Sequence, residues 1–153
     1  AMSDDERLAK IEAVLPGRWD PPAIRAGAII SLVLAVPITV IAAVVDPDDP
    51  GARAAFFFAA FGGFVIGAGC AAWVQRSGTP LSHGMVTAVG TYAAAQAVFV
   101  IFRLITGGDV NWFGVIFTGT LVALAGLAGG FLGSRLQAKG IRPSSQAQPG
   151  GMR

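Results

Sequence analysis

Four long runs of apolar residues alternate with short polar segments along this chain of 153 residues. The runs cover residues 24–45, 54–74, 83–105 and 112–136. A helix needs about 20 residues to cross a hydrocarbon core of about 30 Å, and every run is long enough. The pattern therefore predicts an all-α integral membrane protein, a four-helix bundle with short loops.

Two polar segments flank these runs. Residues 3–15 combine a capping-box pattern with apolar residues at spacings of three and four, which predicts a short amphipathic helix. The chain from Gly140 onward is rich in Pro, Ser, Gln and Gly, a composition typical of disorder. We therefore divide the chain into an N-terminal segment (1–20), a transmembrane domain (21–138) and a disordered tail (139–153).

Basic residues are distributed unevenly between the two sides of the predicted bundle. Nine of the eleven would lie with the termini and the loop 75–82, and only Arg53 and Arg103 on the other side. Cytoplasmic loops retain Lys and Arg, so both termini are expected in the cytoplasm. The excess of Arg over Lys, with abundant Ala and Gly, indicates a GC-rich bacterial genome. The predicted location is thus the bacterial cytoplasmic membrane, with a multi-pass topology.

Glycines four residues apart are concentrated in the second and fourth runs. This spacing clears one face of a helix, so that another backbone can approach closely. We expect these glycines to pack the second and fourth helices within one bundle, and a contact between two chains is the alternative. The pairs are Gly63 with Gly67, Gly126 with Gly130, and Gly129 with Gly133.

The third run carries polar residues on one face. Tyr92, Gln96, Phe99 and Arg103 follow one another at spacings of four, three and four. This face predicts either a polar lining for a small solute or a lipid headgroup, or a single interhelical hydrogen bond that fixes packing. Arg103 lies within a turn of the outer end, so its side chain should reach the interface near Asp109 or the acidic first loop at residues 46–51.

A proline interrupts the first run. Because Pro37 has no N–H, the carbonyl of Val33 loses its donor, and we expect a kink. The amide of Gln96 lies near the predicted bilayer midplane, where exposure to lipid is costly. It should therefore face the bundle and meet the Val33 carbonyl, Ser31 or Thr39.

Several functional classes lack their characteristic residues. None of the four runs contains Asp or Glu, so the intramembrane carboxylate of a proton-coupled exporter is missing. The sequence has no GxxxxGK[ST] or HExxH pattern, and the single cysteine, Cys70, excludes a metal site of paired thiolates. His83 is the only histidine, and we expect a helix-start residue at the wet interface; a pH sensor or a ligand contact is the alternative. We predict no enzyme, no cofactor, no metal site and no binding of nucleic acid.

Four segments resemble the small four-span bacterial membrane proteins of unknown function typified by YrzE. They are residues 26–28 (AGA), 61–67 (FGGFVIG), 80–84 (PLSHG) and the glycine-rich stretch 126–133. The resemblance implies a four-span architecture and no activity, so it assigns no functional residue.

The sequence as a whole predicts a structural or interaction protein of the membrane. It would contact the lipid bilayer and pack or self-associate through its Gly-rich helices, or bind another membrane protein. The alternative is a small carrier or channel for a small solute or lipid. That alternative would use the face of Tyr92, Gln96 and Arg103.

Overall fold

The computed structural model describes residues 18–45 and 48–141, and this part of the chain is helical without strands. The predicted helix at 3–15 and the tail from residue 142 lie outside the described residues. Four helices are long and apolar enough to cross a membrane, which confirms the predicted fold class. They are α1 (Pro21–Val45), α2 (Pro50–Val74), α3 (Pro80–Ile105) and α4 (Trp112–Ala138).

Prolines mark the beginnings of the first three helices. Pro21, Pro50 and Pro80 each occupy the start of a helix, three or four residues before the start of the apolar run. Proline suits this position because its ring presets φ and the first helical N–H groups have no partner within the helix. At α2, the side chain of Asp49 also accepts a hydrogen bond from the N–H of Ala52 at 2.7 Å.

The helices run up and down and follow the order α1, α2, α4, α3 around the bundle. Each neighbouring pair in that order is in contact, α2 also contacts α3 across the middle, and α1 and α4 do not meet. We call the end where α1 and α3 begin the histidine end, because it holds His83. The opposite end holds the beginnings of α2 and α4.

The α1–α2 contact is a seam of small residues. A Cβ added to Gly67 would collide with the hydroxyl of Ser31 and would lie 2.5 Å from the carbonyl oxygen of Gly27. A Cβ on Gly27 would in turn lie 2.5 Å from the carbonyl oxygen of Gly67. Gly63, one turn before Gly67 in α2, also faces α1, and its added Cβ would lie 3.0 Å from the Cβ of Leu34. The two backbones therefore touch directly.

Two more glycine seams lie on α4, and they face different partners. Gly129 and Gly133 face α2, where a Cβ on Gly133 would lie 2.6 Å from the carbonyl oxygen of Gly69. Gly126 and Gly130 face α3, where an added Cβ would lie within 3.0 Å of backbone atoms. The structure thus places all six predicted glycines in contacts within one chain. Gly63 and Gly67, however, face α1 rather than α4, and the glycine of α2 that faces α4 is Gly69.

The distribution of side-chain size matches this packing. Among the described residues, the buried apolar side chains are alanines together with Val122. Large apolar side chains point outward, and Val44, Ile105 and Phe113 are close to 80% exposed. Close packing of small residues holds helices together where lipid is as apolar as the interior. The described bundle has this arrangement.

Candidate functional site

A buried histidine lies at the centre of a polar cluster at the histidine end. The side chain of His83 is fully buried, although the sequence placed it at the wet interface. Its Nε2 accepts a hydrogen bond from the backbone N–H of Asp20 at 2.9 Å. Its Nδ1 lies 2.9 Å from the carbonyl oxygen of Thr79. A carbonyl oxygen can only accept a hydrogen bond, so Nδ1 must be the donor. The two contacts assign a neutral imidazole with the proton on Nδ1.

The residues that precede α1 surround this imidazole. The Trp19 ring lies 5.5 Å from the His83 ring at a tilted angle, and the Arg18 guanidinium lies over the Trp19 ring. One carboxylate oxygen of Asp20 caps α1 by accepting from the N–H of Ala23 at 3.2 Å. The other accepts from the backbone N–H of Arg76 at 3.1 Å. Asp20 therefore joins α1, the α2–α3 loop and α3.

Two glutamine amides close the same end between α2 and α4. The side-chain N–H groups of Gln137 donate to the carbonyl oxygens of Trp73 at 2.9 Å and Gln75 at 3.1 Å. The Gln75 amide donates back to Gln137 at 3.4 Å. The Trp73 indole donates to the carbonyl oxygen of Ile141 at 2.7 Å. These hydrogen bonds join the last turns of α2 and α4, and their donors and acceptors all belong to the cluster.

Sequence reasoning missed most of this cluster. It assigned no role to Gln75, Gln137 or Asp20. One usable signal was present, since an Asp directly before a proline pair is a strong N-cap pattern. The glutamines carried no such signal, because their partners are carbonyl groups 62 and 64 residues away.

Three hydroxyl groups are buried deeper in the bundle without partners. Ser31, Thr87 and Thr91 have side-chain oxygens that bind no described residue. Thr87 and Thr91 follow His83 at successive spacings of four, so the three share one face of α3. An unpaired buried hydroxyl costs about 1–3 kcal/mol, so these groups form a polar but unsatisfied stripe.

The predicted polar face of α3 separates into three environments. The Tyr92 hydroxyl donates to the carbonyl oxygen of Val115 in α4 at 2.8 Å, so it serves packing. The Arg103 guanidinium lies over the Phe99 ring, 5.5 Å from its centre, and its side chain is exposed. Within the described part of the chain no ion pair joins Arg103 to an acidic residue.

Gln96 faces α4 rather than α1. It lines a groove of about 640 Å³ between α3 and α4, in the half of the bundle away from the histidine end. Apart from Tyr92 and Thr120, whose hydroxyls donate to carbonyl oxygens of α4, the other lining residues are apolar, and no described residue forms a hydrogen bond with the Gln96 amide. The expected contacts with Ser31, Thr39 or the Val33 carbonyl are therefore wrong. Thr39 instead donates to the carbonyl oxygen of Ala35 in its own helix at 2.9 Å.

Metal-binding side chains do not converge in the described bundle. No group of three or more His, Cys, Asp or Glu residues is close enough there to hold an ion. The four long apolar helices are compatible with one class of protein, a small multi-pass membrane protein. Comparison with known protein families, with curated proteins and with solved structures finds no match.

Proposed function

We propose that this protein is a non-enzymatic structural or interaction protein of the bacterial cytoplasmic membrane. The observation that carries the proposal is the interior, where backbones meet along small-residue seams. Such an interior leaves little room for a substrate and holds the helices in one fixed arrangement. The four-span architecture is also what the resemblance to YrzE-like proteins implies.

The polar cluster supports a structural role for the histidine end. Both nitrogens of His83, both carboxylate oxygens of Asp20 and the amides of Gln75 and Gln137 have partners within the cluster. A catalytic group needs a free face towards a substrate. These groups are instead used to join the segments that begin and end the helices.

The distribution of charge supports an orientation with both termini in the cytoplasm. At the histidine end the described basic residues are Arg18, Arg25, Arg76, Arg135 and Lys139. The opposite end has Arg53 and Arg103 beside Asp48, Asp49 and Asp109. Basic residues close to membrane-spanning helices are retained in the cytoplasm, so the histidine end would be cytoplasmic.

Partners would have to bind the outer surface of the bundle. All six predicted glycines already face another helix of the same chain. A second protein, or a second copy, must therefore use faces that the described structure leaves exposed to lipid. The proposal accordingly assigns the glycines to folding and the lipid-facing surface to interaction.

Cross-linking in native membranes tests the proposal. A tagged chain is expressed at its natural level, treated with a short membrane-permeant cross-linker and purified in mild detergent. An interaction protein should yield discrete species of higher mass, which mass spectrometry then assigns to the chain itself or to another membrane protein. A tagged chain with unrelated spans, expressed at the same level, is the control. Recovery of monomer alone at every cross-linker dose would contradict the proposal.

A carrier is the second candidate, and one observation favours it. The unpaired hydroxyls of Ser31, Thr87 and Thr91 lie on a buried stripe that starts near His83. Unpaired polar groups inside a membrane protein are expensive and frequently mark the route of a polar solute. This stripe replaces the face of Tyr92, Gln96 and Arg103 as the candidate lining, because the structure separates those three residues.

A further inference from the structure

The groove between α3 and α4 extends from one end of the bundle to about its middle. On α4 its lining begins at Trp112, the first residue of that helix, and continues to Ala123. Two residues at this spacing are about 16 Å apart along a helix, and half of the hydrocarbon core is about 15 Å thick. The groove therefore has the depth of one lipid leaflet, the leaflet at the end opposite the histidine end.

Small residues on both helices keep this groove open. Ala93 and Ala97 line it on α3, and Gly119 and Ala123 line it on α4. Ala93 and Ala97 are exposed, so the groove opens sideways to the surrounding lipid. An unfilled apolar gap loses the dispersion contacts of the side chains that line it, which favours an apolar occupant. The apolar molecules that surround the helices at this depth are lipid acyl chains.

Arg103 places a positive charge at the end of the groove that lies near the membrane surface. It follows Val100, a lining residue, by three positions and therefore lies on the same face of α3. Its guanidinium lies over the Phe99 ring, 5.5 Å from the ring centre, so the side chain extends back along the helix towards the hydrocarbon. No acidic residue among those that the structure describes forms an ion pair with it. A cation so close to the hydrocarbon is stabilised by an anion.

We propose that the groove binds one acyl chain of a phospholipid and that Arg103 binds the phosphate of the same molecule. The phosphate of a phospholipid lies at the membrane surface, and its acyl chain extends from there to about the midplane. A cation followed by an apolar groove of the same depth matches these two parts in the same order. A guanidinium donates two parallel hydrogen bonds to a phosphate, which suits Arg103 to this headgroup. The inference holds for either orientation of the chain in the membrane.

Gln96 distinguishes a phospholipid from a ligand with a polar group deeper in the groove. Its amide belongs to a residue about 14 Å from the end of α3 at Ile105, so it is close to the midplane. The phosphate and ester groups of a phospholipid remain near the surface, and only its acyl chain would contact this amide. We therefore expect Gln96→Leu to bind phospholipid at least as tightly as the parent. A ligand whose polar group bonds to the amide would instead bind less tightly.

Lipid titration followed by native mass spectrometry tests the phosphate contact. The purified chain in mild detergent is titrated with dioleoyl phosphatidylglycerol and with dioleoylglycerol, which has the same acyl chains and no phosphate. The parent should bind the phospholipid about tenfold more tightly, the effect of one or two charge-assisted hydrogen bonds. In Arg103→Gln this difference should disappear.

The matched control for Arg103→Gln is Arg53→Gln, which removes the same charge from the same end of the bundle. The Arg53 guanidinium donates to the carbonyl oxygen of Asp48 at 3.1 Å, away from the groove lining. Arg53→Gln should therefore keep the preference for the phospholipid. Equal affinity of the parent for the two lipids, or an unchanged preference in Arg103→Gln, would overturn the inference.

Two leucine substitutions test the groove itself. Ala93→Leu places a large side chain in the groove and should lower the affinity for both lipids. Ala94→Leu, at the neighbouring exposed position outside the lining, should leave both affinities unchanged. Thermal unfolding in the same detergent should match the parent in both variants, because both positions are exposed, and this separates loss of binding from loss of the fold. Equal affinities in Ala93→Leu and Ala94→Leu would overturn the inference, and so would a loss of phosphatidylglycerol binding in Gln96→Leu.

Discussion

The backbone N–H of Asp20 donates a hydrogen bond to Nε2 of His83 at 2.9 Å, across 63 residues of sequence. This bond connects the segment before α1 to the first turns of α3. The His83 ring also holds the α2–α3 loop through the carbonyl oxygen of Thr79. One buried side chain therefore bonds both the segment before α1 and the α2–α3 loop, which the hydrogen bond from the Arg76 N–H to Asp20 also joins.

Removal of this side chain should destabilise the bundle. His83→Ala leaves the Asp20 N–H without its buried acceptor and removes one of the two donors to the Thr79 carbonyl, which should cost about 2 kcal/mol. The control is Arg76→Ala, in the same loop, because the exposed Arg76 side chain takes no part in the cluster. Thermal unfolding in mild detergent measures both variants. Equal melting temperatures for the two variants would show that the histidine is not a connector.

Single methyl groups should suffice to test the α1–α2 seam. Gly67→Ala forces the two backbones apart, because the new Cβ would overlap the Ser31 hydroxyl and the Gly27 carbonyl, and overpacking typically costs about 1–3 kcal/mol. The matched control is Gly62→Ala in the same helix, whose Cβ meets nothing within 4 Å. That change should be neutral or stabilising by up to about 1 kcal/mol, since alanine favours helix over glycine. A lower melting temperature in Gly62→Ala than in Gly67→Ala would contradict the assignment of the seam.

The buried hydroxyls give a prediction that separates folding from transport. Thr87→Val keeps the shape of the side chain and removes an unpaired polar group, so stability should be unchanged or should rise by about 1 kcal/mol. Ser31→Ala should behave in the same way. Tyr92→Phe, which removes a hydroxyl that does have a partner, is the contrasting variant and should lower stability by about 1 kcal/mol.

Complementation of a deletion strain then distinguishes the structural protein from the carrier. A structural protein with Thr87→Val should remain abundant and complement a deletion strain in any condition where the deletion has a phenotype. Stable, abundant Thr87→Val or Ser31→Ala protein that fails to complement would favour the carrier over the structural proposal.

The sequence predicted the elements of this fold better than their contacts. The lengths of the apolar runs depend only on the thickness of the membrane, so four spans were readable directly. Gln96 shows the limit, because helical periodicity defines a face but does not say which neighbour that face meets. The neighbour depends on the order α1, α2, α4, α3, which placed α4 rather than α1 beside Gln96.

The prediction for His83 was wrong for a related reason. Its position at the start of an apolar run predicted contact with water, and that prediction assumed that nothing folds over the end of the helix. In the structure Trp19 and Asp20, which are remote in sequence, cover the ring. The local pattern contained no signal for that cover.

The proposed orientation can be measured by labelling single cysteines. In a Cys70→Ala background, Asp48→Cys and Gly108→Cys should react with an impermeant thiol reagent added to intact cells. Lys139→Cys and Ser144→Cys should react only after lysis, because the basic histidine end stays in the cytoplasm. Labelling of the second pair in intact cells, without the first, would reverse the orientation.

The two seams of α2 have a consequence for the order of synthesis. Gly63 and Gly67 face α1, which is made first, so that contact can close as soon as the hairpin is inserted. Gly69 faces α4, whose last residue, Ala138, follows the end of α2 at Val74 by 64 residues. At about 5–20 residues per second, the ribosome takes roughly 3–13 s to supply it. During that interval lipid acyl chains would contact the backbone at Gly69. The α1–α2 hairpin without α4 is therefore the form that insertion factors and membrane proteases would meet.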